Sequence, residues 1–128
     1  MTLDSSALIA ILFEDPGYLD LIDRILDADH VRIGAPTLVE TSLVLAGRRR
    51  SDAAGDVEAL VQELAVTTVP FGEVECRAAM EAFLRYGRGR HPAALNFGDC
   101  LAYAIAAAAG DALLFVGDAF AQTDITVA

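Results

Sequence analysis

The sequence predicts an α/β fold of three layers, a mainly parallel central sheet flanked by helices. Three observations carry this. Short apolar runs alternate from end to end with longer segments of helical periodicity, the order of strand and helix units whose strands lie parallel. The 128 residues suit one domain with a real core and leave no room for a second. Acidic residues fall where strands end and helices begin, the edge at which such sheets bind ligands. No internal repeat, low-complexity tract or linker interrupts the pattern.

In chain order, Thr2 and Leu3 read as a strand that exits at Asp4, and the apolar run Ala7 to Phe13 as the helix after it. "YLDLIDRILDA" places Leu19, Ile22 and Leu26 on one helical face with acids on the other, an amphipathic surface helix. "HVRIGA" is a short strand, and Pro36 suits the first turn of a helix carrying Thr37 to Ala46. That helix is apolar nearly all round through Leu38, Val39, Leu43, Val44 and Leu45, with Glu40 its one charge, so it is buried or covered by a partner. Arg48, Arg49 and Arg50 close it, where the helix dipole favours them as much as RNA would.

"DVEALVQEL" sets Val57, Leu60, Val61 and Leu64 in helical register, and "VTTVP" is a strand closed by Pro70. "GEVECRAAMEAFLRYG" is a helix ended by Gly87, with Cys76, Met80 and Phe83 on one stripe expected in the core. The loop "RGRHPAALN" leads to a helix from Phe97 to Ala109 capped by Asn96. "ALLFVGD" reads as a buried strand and "ITVA" as a last short one.

Composition narrows the chemistry. A hydrophobic content of 55% and a mean hydropathy of +0.44 are high for a soluble domain and point to apolar surface covered by another chain, a second copy or a different partner. No run reaches the roughly 20 apolar residues of a membrane helix, so no membrane contact is expected. The amino end has no basic residue before its apolar run, which sets it apart from a signal peptide and suggests the cytoplasm. Cys76 and Cys100 are too few and too far apart for a disulfide framework or a zinc site. All 9 bases are arginine against 19 acids, giving a net charge of −10. The absence of lysine weighs against P-loop and Schiff-base chemistry, and the acidity against nucleic-acid binding over the whole surface.

Four acids are predicted on one edge: Asp4 at the first strand's exit, Glu40 after Pro36, Asp99 three residues past Asn96, and Asp118 after "LLFVG". Singly each has a structural explanation, Asp99 in the helix dipole and Asp118 as a turn cap. Together they need a cation, because two like charges about 4 Å apart repel by about 4 kcal/mol at an effective dielectric of 20. Oxygen ligands without His or Cys suit Mg²⁺ or Mn²⁺. Ser6 either supports a carboxylate or metal-bound water, or caps its helix.

"LDSSAL", "LVET", "YGRGRHPAALNFGDC" and "LLFVGDAF" resemble, in that order, the motifs of PIN-domain ribonucleases, most closely the VapC toxins of bacterial toxin–antitoxin pairs. The resemblance spans residues 1–128 as a single PIN-like domain, and Tyr86 to Cys100 is its most specific stretch. It implies Asp4, Glu40, Asp99 and Asp118 as the catalytic, metal-holding acids, with Asp4 and Asp99 the chief ligands and Ser6, Asn96 and Asp124 in support. The chain departs from many relatives in reading Asp4-Ser5-Ser6 where they have Asp-Thr-Ser, and in carrying Ala119 where some have a further acid. The implied reaction is Mg²⁺- or Mn²⁺-assisted hydrolysis of an RNA phosphodiester, restrained by a cognate antitoxin, as a homodimer or a hetero-oligomer with that antitoxin. Arg85, Arg88 and Arg90 either hold the RNA phosphates or form a solvated loop, and His91 reads as a loop residue. The competing readings are a metal-dependent phosphohydrolase acting on a small phosphoester and a non-catalytic PIN-like interaction module.

Overall fold

The computed structural model describes residues 1–48 and 53–128. The strand β1 (Thr2–Leu3) passes into α1 (Ser5–Leu12) and α2 (Tyr18–Asp27), and β2 (Arg32–Gly34) into α3 (Ala35–Arg48) and α4 (Ala53–Glu63). Then β3 (Thr67–Val69) precedes α5 (Glu73–Tyr86) and α6 (Phe97–Ala109), and β4 (Leu113–Leu114) follows. The strands pair in parallel in the order β3-β2-β1-β4, so every strand exit lies on one edge of the sheet. Arg49 and Arg50, expected to close α3, lie outside the described residues.

Side-chain alternation along the strands separates two core layers. Leu114 faces a cluster formed with Leu3, Leu8, Ile25 and Ile33, which joins the sheet to α1 and α2. Leu113, its neighbour, faces Ala82, Tyr86, Ala102 and Phe120 in the cluster that holds α5 and α6. This is the period of two expected of a sheet covered on both faces. A smaller cluster of Ile9, Leu45, Ala53 and Val57 binds α1, α3 and α4 together.

Helix α6 runs through the middle of the molecule, and its sequence explains how. Ala102, Ala104 and Ala106 are wholly buried and small enough to bring its backbone close to its neighbours. At Gly34 a Cβ would lie 2.7 Å from Ile105 Cγ1, so glycine in β2 lets α6 lie directly against the sheet. Asn96 caps the helix, and Gly110, at φ +66°, ends it in the left-handed conformation that glycine adopts without strain. The amino end of α6 therefore sits at the edge where the strands exit.

Several local expectations are corrected. In α2 the buried residues are Leu21 and Ile25, with Ile22 half-buried, whereas Leu19 and Leu26 are 61% and 64% exposed. Two overlapping apolar stripes were available, and the one containing Leu21 and Ile25 at i, i+4 meets α1 and the sheet. Cys76 is exposed rather than core, as are Met80 and Phe83, because α5 turns that stripe outward. Cys100 is buried as expected. The last segment "ITVA" makes one parallel bridge, Leu113 with Val127, and not a full strand.

Candidate active site

Three elements bring Asp4, Glu40 and Asp99 to the common edge. Asp4 ends β1 and caps α1, its Oδ2 accepting from the Ser6 backbone N–H at 3.0 Å and from the Ser6 hydroxyl. It is only 5% exposed. Glu40 comes from the second turn of α3, half-buried, with Oε2 out of solvent and without a hydrogen-bond partner. Asp99 stands in the first turn of α6 within a reciprocal cap: Asn96 N–H donates to Asp99 Oδ2 at 2.8 Å, and Asp99 N–H donates to Asn96 Oδ1 at 2.9 Å.

These acids feel one another. Burial pushes the Asp4 carboxyl above its ordinary range, against the opposing pull of its bonds to Ser6 and Ser5. Burial likewise raises Glu40; the charge of Asp4 and, more weakly, that of Asp99 raise it further, while the Ser5 hydroxyl lowers it. Asp99 is raised by burial and by Asp4, and lowered by its Asn96 N–H bond and by Arg88. Desolvation thus acts on all three and the charge of a neighbouring carboxylate on Glu40 and Asp99, as in an acidic pocket.

Asp118 occupies an exposed bend after β4. Its loop is tied to the site through Ser6, whose Oγ accepts from Val116 N–H at 3.0 Å while its hydroxyl donates to Asp4. Ser6 therefore joins the exits of β1 and β4. The chain turns at Gly117, where φ is +105°.

The opposite end of the strands is different. Asp111 is met by Arg32 Nε at 2.8 Å, the Met1 ammonium at 3.5 Å and the Thr2 hydroxyl at 3.0 Å. An acid with three partners is structural; among the described residues the acids at the exit edge have no ion pair of this kind. Among the described residues no three His, Cys, Asp or Glu side chains stand so that they could together hold a metal ion. The donor set nevertheless fits a hard divalent cation, since it is all oxygen and includes the buried, unpartnered Glu40 Oε2.

A PIN domain family model matches residues 1–125. Ribonuclease VapC30 of Mycobacterium tuberculosis is 37% identical over 126 residues, covering 98% of this chain and 95% of that protein. The chain belongs to the PIN-domain family, among the VapC ribonucleases. Ribonuclease VapC36 of the same organism is 39% identical over 98% of this chain and 91% of its own length. The PIN fold agrees with solved structures: M. tuberculosis VapC20, a Sarcin-Ricin loop cleaving toxin, superposes with a TM-score of 0.78 at 18% identity, covering 99% of this chain and 97% of that one. VapBC2 from Rickettsia felis, bound to a promoter DNA fragment, gives 0.75 at 12% identity, covering 98% and 94%.

Within this PIN domain the expected supporting residues divide. Ser6 and Asn96 touch the acids directly, through Asp4 and Asp99. Asp124 does not join them; it accepts from the Tyr103 hydroxyl at 2.5 Å and pairs with Arg85 at 3.1 Å. The phenol's bond, then Arg85, hold the Asp124 carboxyl below its usual range. Arg85 also donates to the Tyr86 hydroxyl at 2.8 Å and lies over its ring, so this guanidinium is engaged. Arg90 lies over Phe83, and Arg88 is the arginine whose charge reaches Asp99. His91 is a loop residue, its Nδ1 accepting from Ala93 N–H at 3.1 Å and its ring edge-on to Tyr86.

The sequence reading missed Ser5 and Gly98. Ser5 acts on Glu40, and its signal was its place immediately after Asp4. Gly98 is a glycine inside a helix, a poor choice for the backbone and so a mark of close approach.

Proposed function

We propose that this chain is a metal-dependent endoribonuclease of the VapC toxin type, held in check by a cognate antitoxin. The observation that carries this is that three separate elements bring Asp4, Glu40 and Asp99 to one edge, all raised by burial, Glu40 and Asp99 also by a neighbouring carboxylate, with Glu40 Oε2 unpartnered. Asp4, Glu40 and Asp99 would hold Mg²⁺ or Mn²⁺, with Asp118 completing the set from its loop. When bound, such an ion supplies a water of lowered pKa and a positive centre for the scissile phosphate.

The chain's own groups do the positioning. Ser6 fixes Asp4 and anchors the β4 loop, and the Asn96 cap fixes Asp99. Arg88, exposed beside Asp99, is placed to meet a phosphate of the RNA. No side-chain nucleophile is required.

Two lines support the antitoxin. Relatives of this fold were solved as VapBC and toxin–antitoxin assemblies. An apolar groove of about 890 Å³ also lies between α3, α5 and α6, lined by Val39, Leu43, Met80, Phe97 and Leu101. A cytoplasmic setting, where RNA and antitoxin are made, belongs to the same proposal.

The test is a cleavage assay on RNA with the purified chain. Cleavage is expected with Mg²⁺ or Mn²⁺, its loss with EDTA or on adding the cognate antitoxin, and a fall on the order of a hundredfold or more in Asp99→Asn, which keeps the shape of the cap while removing a charge. RNA cleavage that persists in EDTA, or full activity in Asp99→Asn, would overturn the reading.

A further inference from the structure

The Glu40 carboxylate occupies the space beside Gly98 in which any other residue would carry a Cβ. A Cβ built on Gly98 would stand 2.1 Å from Glu40 Oε1, 2.6 Å from Cδ and 2.7 Å from Oε2. Those three nearest atoms belong to one carboxylate, and no backbone atom is among them. The backbone itself does not call for glycine there, since Gly98 lies in a regular helical turn and is absent from the positive-φ positions. Alanine would favour the helix by up to about 1 kcal/mol. The three closest approaches at Gly98 are therefore all to the far end of Glu40, unlike those at Gly34, where the nearest neighbour is the core side chain Ile105.

We propose that Gly98 is a positioning residue that acts on the site through Glu40: its missing Cβ leaves the room in which the Glu40 carboxylate crosses from α3 to the first turn of α6, beside Asp99. This rests on the reading of the acid edge as a divalent-cation site. It explains why Glu40 Oε2 is buried without a partner, because the crossing takes the carboxylate out of water and leaves one oxygen free for a ligand. A larger residue at 98 would turn the carboxylate away while leaving α6, its cap and the core in place.

The test uses the full-length chain and reads Mn²⁺ binding by electron paramagnetic resonance, thermal unfolding without metal, and RNA cleavage. Gly98→Ala should leave the metal-free Tm unchanged or raised, weaken Mn²⁺ binding at least tenfold and slow cleavage in step. In a Glu40→Ala background the same change should alter Mn²⁺ affinity less than twofold, the non-additivity of two residues that act as one. Glu40→Asp, one methylene shorter, should restore part of the affinity lost in Gly98→Ala. Unchanged Mn²⁺ affinity in Gly98→Ala, an equal loss with Glu40 already removed, or a metal-free Tm lowered by several degrees would each overturn the proposal. A wild-type chain that binds no Mn²⁺ would remove the cation reading and this one with it, whereas wild-type binding that Gly98→Ala leaves intact would remove only the role of Gly98.

Discussion

The three arginines that flank α6 differ in what already holds them. Arg85 is paired with Asp124 and stacked on Tyr86, so using it for a phosphate means giving up both contacts. Arg88 is exposed and has the Asp99 carboxyl as its electrostatic neighbour, which places it beside the acid edge. Arg88→Gln should accordingly weaken RNA binding and lower the slope of log affinity against log salt by about 0.7, the loss of one phosphate contact on a single strand. Arg85→Gln should leave that slope unchanged and instead lower Tm only slightly, since solvent screens an exposed pair. Fluorescence anisotropy with labelled RNA at several salt concentrations separates the two, and equal slopes in wild type and Arg88→Gln would return Arg88 to the solvated loop.

At the scale of elements, α6 sets the accuracy of the proposed site, because its cap and its acid Asp99 are one structure. Asn96→Ala removes an acceptor from the helix start and should cost roughly 1 kcal/mol, a fall of a few degrees in Tm. The Asp99 backbone N–H that Asn96 Oδ1 now holds would lose its partner, so cleavage should fall by more than the lost stability explains. Asn96→Asp, also a good cap, should recover the Tm; cleavage unaffected in Asn96→Ala would mean that the cap does not position Asp99. This part of the site was legible in the sequence because capping is local chemistry, settled within four residues. So was the strand exit at Asp4, where the apolar run stops; the exit of β4 was not, because the strand ends at Leu114, inside the run "LLFVG", and Val116 is already exposed. The buried face of α2 was not, since "YLDLIDRILD" offers two stripes and only packing against α1 and the sheet selects between them. Nor was the place of the apolar groove: Ala7 to Ile11 of α1 are all buried, and α3 forms the groove with α5 and α6, far along the chain. The Gly98 contact was illegible for the same reason, as it joins residues 40 and 98 through the fold.

Over the whole molecule, the described ion pairs neutralise one end of the sheet and leave the acids at the other unpaired. Asp111 has its cations, while Asp4, Glu40 and Asp99 hold raised pKa values in a chain of net charge −10. A carboxyl whose pKa is higher folded than unfolded binds more protons in the folded state between those two values. Its contribution to stability is then fully present below the unfolded value, near 4, and is lost as pH rises through the folded one. The metal-free protein should therefore lose thermal stability as pH is raised from about 4 toward neutrality. Asp124 runs the other way, its lowered carboxyl losing stability as pH falls, but it is exposed and its share is small. Overall repulsion among 19 acids gives the same sign as the buried three, so the measurement needs a control of equal charge. Asp99→Asn and Glu81→Gln each remove one unit, the first from the pocket and the second from the exposed surface of α5. Thermal unfolding followed across pH should show the slope clearly reduced in Asp99→Asn, nearly unchanged in Glu81→Gln, and reduced in the wild type by Mn²⁺, which on the proposed function would bind the ionised pocket. Equal slopes in the two variants would assign the pH dependence to net charge and leave the three carboxylates without a special share in it.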